Sequence, residues 1–163
     1  MKTTTIVSLF LALTTCAPLS AAEAPAPSIQ LNARVIDKSD GNLVVEFCLT
    51  NTSERAIEMY AADLPWGVQT SIVMIAVMVK RDYKIIQGSP YIDDPGPTKI
   101  SLMPSGQIVG TVELARRFPR LPRIAMEDDL VIFWTYQAKT IKGQRSNRTS
   151  GALTISDNNR TDR

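Results

Sequence analysis

The stretch NLVVEFCLTNTSERAIEMYAADLPWG, residues 42–67, constrains the fold of this chain most. Leu43, Val45, Phe47 and Leu49 recur at every second position, which is the period of a strand with one buried face. The polar residues 51–54 follow, and side chains of this type close turns by hydrogen-bonding to their own backbone. The stretch therefore predicts two antiparallel strands joined by a turn, with those four apolar side chains pointing inward.

Residues 71–79 (SIVMIAVMV) are apolar on both faces of the strand that they would form. A strand of this kind is expected to be covered on each side. A buried helix is the alternative, because Met and Ala favour helices, but the many β-branched residues favour a strand.

Further strand-like segments are separated by turn residues along the rest of the chain. They are residues 29–36, 83–86, 99–102, 107–114, 130–136 and 151–155. The proline-bearing segments 88–97 and 115–129 read as irregular loops without a helix, and 139–150 reads as a mobile hairpin loop. Strands at this spacing predict an all-β protein with a single antiparallel immunoglobulin-like β-sandwich of about seven to eight strands. We expect it to span residues 25–156, with Ile132 and Trp134 near the buried face of residues 43–49, and a flexible polar tail at 157–163.

The first 24 residues have the pattern of a secretory signal peptide. Lys2 is positively charged, residues 6–13 (IVSLFLAL) are apolar, and small residues precede position 25. A transmembrane anchor is the alternative, but the apolar core is much shorter than the roughly 20 residues that span a bilayer. Cys16 lies inside this segment, where Thr15 departs from a bacterial lipobox, so we interpret it as part of the removed peptide. The protein is expected to be exported, to the periplasm or the medium.

The cysteines and the absence of histidine limit the possible chemistry. Cys48 would be the single cysteine after removal of residues 1–24, so no intramolecular disulfide is expected, and we interpret Cys48 as a small buried side chain. A chain with no histidine has no Ser-His-Asp triad, no Cys-His pair and no HExxH zinc site. We therefore expect no cofactor and no enzymatic activity. A formal net charge of +2 gives no reason to expect a nucleic-acid partner.

The order of several short motifs resembles the small β-sandwich domain that precedes the catalytic domain of peptidyl-Lys metalloendopeptidases. These motifs are LVVEFCLTNTSERAIEM, LPWG, YIDDPGP, SLMPSGQIVGTVELARRFP and the late aromatic segment LVIFWTY, which together span residues 42–136. The 163 residues hold no zinc-binding motif and no counterpart of that catalytic domain. The resemblance thus implies an immunoglobulin-like fold and an exported, non-catalytic module, and it implies no peptidase activity.

An arginine-rich segment is the strongest candidate binding site. Arg116, Arg117, Arg120 and Arg123 surround Phe118 in a loop with two prolines. Guanidinium groups suit bidentate binding of carboxylate or phosphate, although such a loop is often only solvated.

Trp66, after Pro65, is a second candidate contact residue. Capping of the sandwich core is the commoner role for a lone tryptophan in a small domain.

Two acidic groups, residues 127–129 and Asp93-Asp94, carry oxygen ligands of the kind that calcium prefers. They lack EF-hand-like spacing, so we interpret them as turns. Pairing of residues 127–129 with the arginines just before them is the favoured use.

Three function classes remain after these exclusions. The preferred hypothesis is an exported, non-catalytic binding module that recognises a protein or an anionic envelope component through its loops, without a membrane span. An inhibitor or immunity-type protein that blocks an enzyme is the first alternative. A hydrolase that uses carboxylates alone is the second, but no convincing carboxylate pair can be placed.

Overall fold

A computed structural model of the chain describes residues 25–37, 42–89 and 96–156. The described residues form nine strands: β1 (Ile29–Asp37), β2 (Leu43–Asn51), β3 (Ile57–Tyr60), β4 (Ile72–Met78), β5 (Lys84–Ile86), β6 (Lys99–Leu102), β7 (Gln107–Glu113), β8 (Leu130–Lys139) and β9 (Arg145–Ile155). They also form single helical turns at Ala61–Asp63 (3₁₀), α1 (Leu114–Arg117) and α2 (Leu121–Ile124).

The all-β prediction is confirmed, with one strand more than the upper end of the expected number. The two helical turns α1 and α2 correct the prediction that residues 115–129 contain no helix. The predicted signal peptide (1–24), the predicted tail (157–163) and Asp93-Asp94 lie outside the described residues. In the part of the chain that is described, no helix has the length and apolar character needed to cross a membrane.

Two antiparallel sheets pack face to face. One has the order β1-β2-β7 and the other the order β5-β4-β8-β9, while β3 and β6 form a separate pair. The rings of Phe47 on β2 and Trp134 on β8 meet across the interior with centroids 5.7 Å apart and planes at 88°. Edge-to-face contact of this kind is a favourable arrangement for two aromatic rings.

The predicted register of β2 is confirmed. Leu43, Val45, Phe47 and Leu49 are all at most 4% exposed, and Ile132 and Trp134 are buried with them in the same core. Cys48 points to the opposite face of β2, where it is half-buried rather than part of the core.

Asn51 forms the corner at which the β2/β7 pair ends and the β3/β6 pair begins. Its side chain is fully buried, and its amide donates hydrogen bonds to the carbonyls of Arg55 and Leu102, each at 2.8 Å. Its side-chain oxygen accepts a bond from the backbone N–H of Ser53 at 2.9 Å, and its backbone bonds to Ser105 and Gly106. Strands that bend at a corner leave backbone groups without ladder partners, and Asn51 satisfies several of them.

Another asparagine closes the side of the sandwich where β1 and β9 are the edge strands. The Asn147 side chain accepts a bond from the Ile29 N–H at 2.8 Å and donates one to the Ile29 carbonyl at 3.0 Å. The Asn147 side chain thereby makes the pair of hydrogen bonds that the backbone of a neighbouring strand would make with Ile29. The predicted mobile loop at 139–150 is wrong for its second half, because residues 145–150 belong to β9 and pair with β8.

Strand β4 forms as predicted, but its outer face is exposed at Val73 and Ile75 and buried only at Val77. Ala76 and Met78 are buried in the core, whereas Val73 and Ile75 are 56% and 43% exposed. The prediction of cover on both sides holds at Val77 but is wrong at Val73 and Ile75, where no second layer of described residues covers the sheet.

Candidate functional site

The arginine-rich segment is fastened to the sandwich by its apolar residues. Leu114 and Leu121 are fully buried and Phe118 is 3% exposed, all three within the core. The segment connects β7 in one sheet to β8 in the other, so its side chains cover the interior where the chain crosses between sheets. Phe118, a member of the predicted binding segment, instead anchors that segment to the core.

Arg117 also lies inside, with 4% of its surface exposed. Its guanidinium donates a hydrogen bond to the carbonyl of Gln69, and its own carbonyl accepts one from the Ser89 N–H at 2.9 Å. The Gln69 amide in turn donates to the Ser89 carbonyl at 2.8 Å. Arg117 therefore joins three segments of the chain, and in this conformation neither Arg117 nor Phe118 can contact a partner.

We expect Arg117→Ala to lower the free energy of unfolding by about 2–4 kcal/mol, because it removes a buried, charge-assisted hydrogen bond and the packing of a long side chain. Arg120→Ala is the matched control, since Arg120 is exposed, and it should change stability by at most about 0.5 kcal/mol. Urea unfolding of both variants makes the comparison. Equal effects would show that Arg117 is not structural.

The remaining members of the segment, Arg116, Arg120 and Arg123, are exposed. We call these three side chains the basic surface. Arg116 lies on α1, Arg123 lies on α2 and Arg120 immediately precedes α2, and buried neighbours hold the backbone of both turns. Such an arrangement presents several guanidinium groups at low cost in backbone entropy, which suits recognition of carboxylate or phosphate.

Trp66 covers an edge of the core. Its indole lies over Gly110 of β7, where an added Cβ would come within 2.1 Å of the ring carbon Cε2. A glycine is therefore required at position 110 for this close approach. Trp66 is half-buried and packs against the core, which agrees with a capping role.

The acidic residues 127–129 bind the turn after β4 and not the basic segment. The Asp128 carboxylate is fully buried, accepts a bond from the Lys80 N–H at 2.8 Å, and lies 3.7 Å from the Arg81 guanidinium. Glu127 pairs with Arg81 at 2.9 Å, and Asp129 pairs with Lys80 at 3.4 Å.

The predicted pairing of residues 127–129 with the arginine segment is thus corrected. Register explains the difference: Leu130 pairs with Met78, so the residues before β8 lie beside those that follow β4. Within residues 25–37, 42–89 and 96–156, no group of three or more Cys, Asp or Glu side chains is arranged to hold a metal ion.

Tyr136 is a buried titratable group with a structural role. Its hydroxyl donates to the Asp63 carbonyl at 2.8 Å. Burial, and secondarily the nearby Asp63 carboxylate, raise the pKa of the Tyr136 hydroxyl well above its usual range. The hydroxyl therefore stays protonated at neutral pH, and it tethers the 3₁₀ turn to β8.

A groove of about 590 Å³ lies at the end of the sandwich away from the β4–β5 turn. Its walls are residues 25–27, the turn between β2 and β3, and the tip of the β8–β9 hairpin. Glu54, Arg55, Glu58 and Lys142 give the lining both signs of charge. This mixture does not select one class of ligand.

The outer face of the β5-β4-β8-β9 sheet is the feature that sequence reasoning missed. Ile75, Phe133 and Ala152 stand side by side across β4, β8 and β9, and Ile85 extends the surface onto β5. Phe133 is 50% exposed and Ile85 is 66% exposed. We call these outward positions, with Val73, the apolar sheet face. The signal was present in residues 71–79, but their apolar outer positions were interpreted as buried.

Comparison of the chain with protein-family models finds no match, and comparison with curated proteins finds no significant match.

Proposed function

We propose that this protein is an exported, non-catalytic binding module with immunoglobulin-like topology, and that it recognises an acidic protein surface or an anionic envelope component. The strand order supports the topology. Sheets β1-β2-β7 and β5-β4-β8-β9 have the order A-B-E facing C′-C-F-G when the strands are lettered as in immunoglobulin domains. Loops and turns held by such a scaffold are frequent binding sites.

The basic surface is the observation that carries the binding proposal. Arg116, Arg120 and Arg123 are exposed, while Arg117, Phe118 and Leu121 between them are buried. The buried residues fix the positions from which the exposed guanidinium groups extend. A partner with clustered carboxylates or phosphates would complement this charge, and binding would weaken as salt screens the attraction.

Affinity purification from the envelope fraction of the producing cells tests this proposal. Immobilised wild type should retain a partner that a high-salt wash releases, and Arg120→Glu/Arg123→Glu should lose it. Lys142→Glu/Arg145→Glu is the matched control, because it makes the same change in net charge at exposed positions on the β8–β9 hairpin. It should still retain the partner.

All of these substitutions are at exposed positions, so the thermal midpoints should stay close to that of the wild type. Retention of the same partner by the Arg120→Glu/Arg123→Glu variant would show that the basic surface is merely solvated. If the retained species is an enzyme whose activity falls on binding, the module acts as an inhibitor rather than as an adhesive or scaffolding protein.

A further inference from the structure

The two outer faces of the sandwich differ in chemistry. The outer face of β1-β2-β7 carries charged and polar side chains among its apolar ones, with Arg34 and Glu46 paired at 2.6 Å near its middle. Between the Gln137–Arg148 row and Asp129, the outward positions of β4, β8 and β9 carry no charged side chain. An antiparallel sheet with one solvated face normally alternates apolar inward with polar outward residues. The apolar sheet face departs from that pattern, and contiguous exposed apolar surface of this kind marks an interaction site.

We propose that two copies of the protein associate through the apolar sheet face, with a two-fold axis that lies in the interface and crosses the strands at the Phe133 row. This inference concerns a surface other than the basic surface and does not depend on the proposed function. A two-fold interface requires one patch to be complementary to itself. The outward positions here are apolar except for the uncharged Thr135, Ser150 and Thr154, so the face meets that requirement without any charge left unpaired in its centre.

Strand register supplies the complementarity at the ends of the face. Phe133 lies midway along β8 between Asp129 and Gln137, and Gln137 pairs with Arg148 on β9. Rotation about an axis at the Phe133 row exchanges the two ends. Arg148 of one copy then comes next to Asp129 of the other, where it would add to the existing Lys80–Asp129 ion pair. Opposite charges at exchanged ends favour the antiparallel arrangement over its alternatives.

The size of the face predicts a weak dimer. With strands about 4.8 Å apart and a rise of about 3.3 Å per residue, three outward rows on β4, β8 and β9 cover roughly 15 Å by 20 Å. Ile85 adds one outward position on β5. Two such faces bury roughly 700 Å² in total, which is less than the roughly 1,000 Å² expected of a stable interface and is the size of a weak, transient one. We therefore expect a weak dimer that dissociates on dilution.

The β4–β5 turn, which leads into the strand of Ile85, holds an exposed aromatic residue in an unusual conformation. Asp82 and Tyr83 both have positive φ, 50° and 55°, in a turn closed by the Lys84 N–H to Arg81 carbonyl bond. Glycine is the favoured residue where φ is positive, yet a tyrosine that is 71% exposed occupies this corner, two residues before Ile85. An exposed aromatic beside an apolar face adds contact area for a partner.

Sedimentation equilibrium of the purified protein between about 1 μM and 1 mM tests the proposal over the range in which such a dimer forms. The wild type should rise from the monomer mass towards twice that mass. Phe133→Asp should raise the dissociation constant more than about tenfold, because it opposes two like charges across the axis. Val109→Asp is the matched control, since Val109 is 54% exposed on the outer face of the other sheet and should leave association unchanged.

A crosslinking experiment tests the position of the axis. Ala152→Cys in a Cys48→Ser background places a thiol in the Phe133 row, and a short bismaleimide should link two copies through it. Val109→Cys in the same background should stay unlinked. A wild type that remains monomeric at 1 mM, or equal weakening by Phe133→Asp and Val109→Asp, would overturn the proposal.

Discussion

Phe47→Ala should lower the free energy of unfolding by about 3–5 kcal/mol, as expected for removal of a large aromatic side chain from a core. The Phe47 side chain is fully buried, and its ring packs edge-to-face against Trp134 in the opposite sheet. The substitution therefore loses transfer free energy, leaves a cavity between the sheets and removes an aromatic pair. Urea unfolding monitored by tryptophan fluorescence gives the measurement.

Glu46→Ala is the control for that experiment, because Glu46 is the preceding residue and points to the outer face. Glu46 pairs with Arg34, whose side chain is 72% exposed. A surface ion pair of this kind contributes less than about 1 kcal/mol to the free energy of unfolding. A comparable loss of stability in the two variants would contradict the register, since a slip of one residue exchanges the two faces of a strand.

Asn51→Ala should destabilise the protein by about 3 kcal/mol, an unusually large effect for a single polar side chain in a strand. The substitution leaves the buried carbonyl of Leu102 and the backbone N–H of Ser53 without the bonds that Asn51 provides. The carbonyl of Arg55 also loses its bond, so the corner between the β2/β7 and β3/β6 pairs is weakened. Thermal and urea unfolding both report the change.

Asn32→Ala is the matched control, because Asn32 lies on the outer face of β1 and is exposed. It should change stability by no more than about 0.5 kcal/mol. Asn51→Asp tests whether any polar side chain is sufficient at this position. Aspartate keeps the acceptor oxygen but loses the two hydrogen bonds that the amide donates, so this variant should be destabilised as well. Near-wild-type stability of Asn51→Ala would show that the corner is held by packing alone.

The strands of this fold could be read from local patterns, since the alternation in residues 43–49 and the turn residues at 51–54 and 104–106 act over short distances. Whether a second layer covers each face of a strand could not be predicted in this way. Residues 71–79 are apolar at inner and outer positions alike, and a local pattern does not tell whether a second layer covers the outer face. The exposure of Val73 and Ile75 shows that the outer face is uncovered at these two positions.

In the candidate site too, local sequence patterns do not show the contacts between distant segments. The sequence brings four arginines together but does not show which one turns inward, because that depends on the distant carbonyl of Gln69. The pairing of residues 127–129 with Lys80 and Arg81 likewise follows from the β4–β8 register, which joins positions far apart in the chain. Interactions between distant segments decide which charges are structural and which remain available to a partner. The resemblance to the peptidyl-Lys metalloendopeptidase domain stays a prediction.

The position at which a partner binds decides whether the basic surface is the binding site. Hydrogen–deuterium exchange would be measured for the protein alone and with the envelope partner recovered by affinity purification. We expect protection of residues 114–124, which carry the basic surface, and loss of that protection at high salt. Protection confined to the groove residues 52–58 and 140–144, with none at residues 114–124, would contradict it.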